Sequence, residues 1–151
     1  MVGRHSEVYA YGEHLTAFGA NGQQRWTIQR GTANGLIPSI SEDGTIYFVD
    51  TTRSAYMLVA IDPGGSEKWT FALEPWIKSL LVAPDGTIYI SGSNGTLYAL
   101  DSERRKLDWG YRGDSVAIAR DGTIYAVTYD GSLYALNPPI PGNLQSPQSS
   151  K

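Results

Sequence analysis

The sequence predicts an all-β protein, a β-propeller of four-stranded antiparallel blades with about four blades in the chain. Three observations predict it. The pentapeptide DGTIY occurs three times, starting at residues 43, 85 and 121, at spacings of 42 and 36 residues. The strings LVAID (58–62), LYALD (97–101) and LYALN (133–137) follow those copies in the same order. Trp69 and Trp109 come 11 and 12 residues after Leu58 and Leu97, which open the first two strings. Three anchors at matching spacing mark a repeat of about 40 residues, within the range of propeller blades.

With that template the N-terminal stretch becomes legible as a worn copy. Glu7-Val8-Tyr9 stands for Thr-Ile-Tyr, Leu15-Thr16-Ala17-Phe18 for Leu-Tyr-Ala-Leu, and Trp26 follows Leu15 by 11 residues. The repeats run over about 1–30, 31–74, 75–113 and 114–137. In the second copy the four strands are expected at Ile37–Ser41, Thr45–Val49, Met57–Asp62 and Lys68–Leu73. These segments are rich in β-branched and aromatic residues and are bounded by turn formers. The middle strands, TIYFV and LVAID, are nearly continuous in apolar character, the mark of strands buried on both faces. Ahead of each Ile-Tyr, the Asp of DGT can bond the backbone while the Gly supplies an unusual dihedral. Asn94-Gly95 and Asp130-Gly131 predict two-residue type I′ hairpins between the second and third strands. No segment carries a helical period. An open β-sandwich is the structural alternative, but it has no need of one sequence four times.

The two ends of the chain break the pattern. Only MVGR precedes the first copy where a first strand belongs. Pro138-Pro139 follows Asn137, and proline cannot donate to a strand ladder, so a fourth strand is not expected in the last copy. The Pro/Ser/Gln-rich segment 138–151 has the composition of a disordered tail.

Net charge is −3 and the pI about 5.3, which argues against nucleic acid, whose partners carry a basic footprint. Arg104-Arg105-Lys106 is too short to reverse this and reads as a solvated turn. There is no cysteine, so neither disulfides nor thiolate chemistry contribute. No stretch approaches the 18 or so apolar residues of a membrane span. MVGRHSEVYAYGEHL lacks the apolar core of a signal peptide. Either the protein stays in the cytoplasm or this chain is a piece of a longer one.

The stretch DGTIYISGSNGTLYALDSERRKLDW (85–109) resembles the PQQ-like propeller repeat of the quinoprotein alcohol dehydrogenase-like propellers. The resemblance runs from about residue 5 to 137 and is specific for fold rather than function. The family includes dehydrogenases and non-catalytic relatives, among them an outer-membrane assembly lipoprotein and many cell-surface proteins. An extracytoplasmic or cell-surface location is what it implies. In the family a blade tryptophan docks against the neighbouring blade through a tryptophan–alanine contact. That role falls by resemblance to Trp26, Trp69 and Trp109, with Ala17, Ala60 and Ala99 as the alanines. The family's Thr-Gly before the tryptophan is replaced here by Gly64-Gly65-Ser66 and Glu103-Arg104-Arg105.

The family's dehydrogenases hold a quinone and a calcium or lanthanide ion near the propeller axis, with ligands drawn from eight blades. This chain offers about four blades and lacks the adjacent-cysteine disulfide that lies over the quinone. Asp43, Asp85 and Asp121 recur in every DGT turn, so the turn explains them. His5 and His14 stand alone, without acidic neighbours at metal spacing. Ser66, Ser93 and Ser132 sit in turns without a base, and Asn94-Gly95-Thr96 is better explained as a hairpin than as a glycosylation acceptor. No catalytic, cofactor-binding or metal-ligating residue is therefore assigned, and PQQ with calcium is implied only if the chain is part of a dehydrogenase.

Residues that break the repeat carry more information, because the fold does not explain them. Strand alternation puts the hairpin turns and the inter-blade connections at one end of the propeller. The connections differ most between copies: QRGTANGLIP (29–38), LEPWIKS (73–79) and YRGDSV (111–116). Trp76 has no counterpart elsewhere; with Glu74 and Lys78, and with Arg30 and Arg112 on related connections, it forms a candidate contact surface. The rival reading tucks Trp76 between blades. Four repeats do not make the seven- or eight-bladed ring usual in the family, and an open half-ring exposes faces and edges. Self-association into a two-fold ring is the favoured escape; a longer propeller or a strained four-bladed ring are the others. The leading function is a non-catalytic scaffold that binds protein or another ligand. A dehydrogenase fragment is the runner-up, and a carbohydrate-binding module using Trp76 and surface tyrosines the third.

Overall fold

Asp-Gly turns joined by short apolar strands lead to a chain that only meanders. The computed structural model describes residues 3, 7–31, 36–51, 56–73, 77–101 and 106–137, with 106–110 as backbone alone. Among these residues there is no helix, and fourteen strands form four antiparallel sheets in which sequence neighbours pair. Two compact units divide the chain, Met1–Pro75 and Trp76–Lys151.

In the first half, β1 (Val8–Tyr11), β2 (Leu15–Phe18) and β3 (Gln24–Ile28) form a three-stranded sheet. Next come β4 (Ser39–Ile40), β5 (Ile46–Asp50), β6 (Met57–Ile61) and β7 (Glu67–Ala72), a four-stranded sheet. The second half repeats the plan in reverse size. Four strands come first: β8 (Ile77–Val82), β9 (Ile88–Gly92), β10 (Thr96–Leu100) and β11 (Lys106–Arg112). Three follow: β12 (Ser115–Ile118), β13 (Ile124–Val127) and β14 (Leu133–Leu136). The expected strands of the second copy are all present, although β4 is only two residues long. The tail 138–151 lies outside the described residues.

The repeated DGT has one physical cause in all three copies. Asp43, Asp85 and Asp121 each accept a bond through Oδ1 from the backbone N–H two residues on, at 3.0, 2.9 and 2.9 Å. Each following glycine has φ near +85°, a region other residues avoid. The hairpins at Asn94-Gly95 and Asp130-Gly131 reuse this turn and are not type I′. Gly95 N–H donates to Gly92 O and Gly131 N–H to Thr128 O, one residue earlier than a two-residue loop requires. Asn94 and Asp130 again cap the N–H two residues on, so the left-handed dihedral falls on glycine at the third position.

Each half holds its own core. In the first, Tyr9, Leu15 and Ala17 pack against Ile46, Phe48, Val59 and Ile61 of the next sheet. In the second, Tyr89, Leu97 and Ala99 pack against Val116, Ile124, Ala126 and Leu136. The Tyr-Leu-Ala face of an earlier sheet thus lies on the Ile face of the later one, both times. Strand β5 is buried along its whole length and β6 over its last four residues, as their apolar runs predict; β9, IYISG, is also buried throughout. Strand β13, with the same Ile-Tyr start, is buried only at alternate residues.

Candidate functional site

Trp26 and Trp69 both pack within their sheets. In register, Ala17 faces Trp26 and Ala60 faces Trp69 within the same sheet. Each ring also tilts against the tyrosine of its own sheet: Tyr9 at 5.9 Å from Trp26 and Tyr47 at 5.7 Å from Trp69. Trp26 reaches further. Its Nε1–H donates to Pro63 O at 3.0 Å, and its ring lies on Gly65, both in the turn between β6 and β7 of the neighbouring sheet. The glycine pair that departs from the family's pattern is therefore where this docking occurs. Ala99 is buried opposite Leu107 on β11; the Trp109 side chain lies outside the described residues.

The candidate surface residues part company. Glu74 and Trp76 lie outside the described residues. Arg30, just past β3, pairs with Glu67 at 2.5 Å and lies 3.9 Å from the buried Asp50, joining the two sheets of its half. Lys78 on β8 pairs with Asp114 at 2.6 Å, across the connection that follows β11. Arg112, the last residue of β11, is exposed, and no carboxylate among the described residues pairs with it.

Arg112 lines a cleft of about 690 Å³ in the second half. Its walls are the hairpin at 93–95, the connection at 111–114, the hairpin at 128–130, and Tyr134. Hairpins and connection meet at one end of the sheets, as the alternation of antiparallel strands demands. Three tyrosines supply the aromatic surface. Tyr111 and Tyr134 are half-buried against the core, and burial together with the neighbouring Tyr134 pushes the Tyr111 hydroxyl above its ordinary range. Tyr129, at the tip of its hairpin, is 94% exposed. Asp130 is held below the usual aspartate range by the Thr128 hydroxyl and then by the Ser132 N–H. Sequence reasoning reached Arg112 and surface tyrosines in general, but not which tyrosines. The signal was there: Tyr129 occupies the hairpin position that Ser93 holds one copy earlier.

Among the described residues no three His, Asp or Glu side chains gather. Both oxygens of Asp43 serve its own turn, bonding the Ser41 hydroxyl and both donors of Thr45.

Four meandering sheets and the repeated Asp-Gly turn bring the chain to its relatives. The family model described as outer membrane protein assembly factor BamB matches residues 5–139. The chain belongs to this PQQ-like repeat family. Among curated proteins, none matches it in sequence. BamB from Moraxella catarrhalis superposes with a TM-score of 0.64 at 21% identity, over 90% of this chain and 44% of that one. Virginiamycin B lyase from Staphylococcus aureus superposes with a TM-score of 0.62 at 14% identity, over 93% and 55%. BBS1N, in a complex with ARL6DN, gives a TM-score of 0.68 at 16% identity, over 92% and 48%. These likenesses establish the propeller fold, and the chain spans about half the length of the structures it matches.

Proposed function

We propose that the chain is a non-catalytic propeller scaffold that binds a protein partner through its hairpin-and-connection end. One observation carries this reading: Arg112, on the connection after β11, and Tyr129, where the preceding copy has Ser93, line the same cleft. Tyrosine and arginine are enriched among the few residues that dominate binding at protein interfaces, and in antibody-like binding loops Ser, Asn and Gly supply adaptable polar contacts around such anchors. Two similar propellers support it, one described as an assembly factor and one in a complex with a second protein. An extracytoplasmic location follows the family's description. The test is a random-peptide display selection on the full chain, counter-screened on Arg112→Ala and Tyr129→Ala. Binders lost on either variant are expected; binders indifferent to both sink the reading.

A second reading concerns self-association, and a specific observation favours it. On the last sheet, Ser115, Val127 and Leu133 form one cross-strand row and Ala117, Tyr125 and Ala135 the next, all exposed. Tyr47 and Tyr89, the equivalents of Tyr125, are 4% and 0% exposed, against 39% for Tyr125. By the packing rule of both halves, this Tyr face takes an Ile-type face. The first sheet offers one, with Val8 and Ala10 exposed beside a half-buried Phe18. A second copy, docking head to tail, supplies that face and doubles the number of repeats. Light scattering is expected to return twice the 16.5 kDa of one chain, falling to one on Leu133→Lys. A monomeric wild type refutes it.

A further inference from the structure

The first two sheets share a row of three residues on successive strands. In the first, Tyr9 faces Ala17 and Ala17 faces Trp26. In the second, Tyr47, Ala60 and Trp69 stand in the same row. Both indoles lie against the tyrosine of their row, with ring centres 5.9 and 5.7 Å apart. The residue before each tryptophan is basic and reaches the start of the tyrosine strand. Arg25 meets Glu7 at 3.4 Å, while Lys68 meets Asp43 at 3.4 Å and Thr45 Oγ1 at 2.9 Å. Residues 24–28 and 67–71 therefore read alike, QRWTI and EKWTF.

The last sheet has each part of this arrangement except the tryptophan strand. Tyr125 faces Ala135, and both are exposed. Asp121 and Thr123 stand where Asp43 and Thr45 do, and among the described residues the exposed Asp121 bonds only within its own turn. Strand β14 is the edge of its sheet. Thr128 N–H donates to Ser132 O across the hairpin, so by antiparallel alternation the N–H and C=O of Leu133 and Ala135 point away from β13. They face the open edge, on the side where a tryptophan strand pairs in the first two sheets. A second copy stacked on the face of this sheet leaves the edge free.

The geometry points to the β14 edge as the docking site for an added antiparallel strand of a partner polypeptide, its tryptophan opposite Ala135 and against Tyr125. A basic residue just before that tryptophan reaches Asp121, as Lys68 reaches Asp43. Main-chain bonds to the edge supply the affinity of such an added strand, and alternate side chains supply its specificity. The fitting segment is of the kind of β3 and β7: a basic residue, tryptophan, threonine, then a large apolar residue. This chain has no spare copy of it. Trp26 and Trp69 are paired in their own sheets, Trp109 stands on β11, and Trp76 follows a proline. The same holds for a second copy of the chain, so the strand comes from outside these residues.

The experiment is a calorimetric titration of the full chain with the synthetic peptide QQRWTIQ, the sequence of residues 23–29. Two control peptides replace its tryptophan by alanine or its arginine by glutamine. Saturable binding of QQRWTIQ is expected, weakened on the order of tenfold or more without the tryptophan, as for a buried aromatic anchor. Losing the arginine should cost about two- to fivefold, the worth of an exposed ion pair. Asp121→Asn keeps a side-chain oxygen for the turn and erases the preference for the arginine peptide. Ala135→Pro removes an N–H that faces the edge, a place where a strand tolerates proline, and abolishes binding. Hydrogen exchange on the wild type needs no variant: with peptide bound, the Leu133 and Ala135 amides become protected. Absence of saturable binding, equal binding of the alanine peptide, or protection that spares β14 overturns the assignment. If the peptide instead splits a dimer into single chains by light scattering, a second copy holds the edge and the partner assignment fails.

Discussion

Gly65→Ala tests how tightly the sheets of the first half dock. Gly65 has φ of +92°, and a Cβ built there meets Trp26 Cγ at 2.8 Å and Cδ2 at 2.9 Å. Two costs combine. Holding alanine in the left-handed region costs about 1–2 kcal/mol. Displacing a packed indole costs about 1–3 kcal/mol more, and the ring cannot retreat without stretching the 3.0 Å bond from Nε1 to Pro63 O. A loss of about 2–5 kcal/mol is therefore expected, a large share of a small domain's stability. Gly22→Ala in the same half isolates the backbone share, because Gly22 has φ of +77° with nothing within 4 Å of its Cβ position. Urea unfolding followed by tryptophan fluorescence measures both, with stabilities compared by linear extrapolation. In a Trp26→Ala background the excess cost of Gly65→Ala should vanish, which a double-mutant cycle detects. Equal losses for Gly65→Ala and Gly22→Ala would refute the docking contact.

Other consequences follow from the same contacts. Arg30→Gln removes the guanidinium beside the buried Asp50 and breaks the bond to Glu67, so a loss of about 1–3 kcal/mol is expected from the same urea assay. Asp43 is held well below the usual carboxylate range, chiefly by the Ser41 hydroxyl and then by the Thr45 N–H. Its stabilisation is complete above the ordinary value near 3.8 and is lost as pH falls from there through the depressed native value. Asp43→Asn should therefore flatten the fall in thermal midpoint below about pH 4, relative to wild type. Unchanged steepness would place the acid sensitivity elsewhere, Asp121 and Asp130 being depressed for similar reasons. Leu133→Lys places a charge in the exposed apolar rows of the last sheet and should leave a folded monomer, read by light scattering.

Much of the architecture was legible because a propeller spells itself out in period. DGTIY determined where each turn falls, since an aspartate that caps an N–H and a glycine that accepts positive φ are needed together. Continuous apolar runs likewise determined that β5 and β6 are buried on both faces. The hairpin type was misread for a local reason: Asn-Gly suits both a two-residue turn and the last two positions of a longer one. Only the closing hydrogen bonds separate these. Tertiary structure alone decided which repeat-breaking residues meet. Arg30 and Arg112 stand on comparable connections, yet one is tied to Glu67 and Asp50 and the other opens onto a cleft. Trp26 looks like Trp69 in sequence, but its docking depends on a glycine 39 positions away. Local spacing dictates turns and burial through backbone dihedrals and side-chain alternation; the partners of an arginine or an indole depend on residues that approach only when the sheets stack.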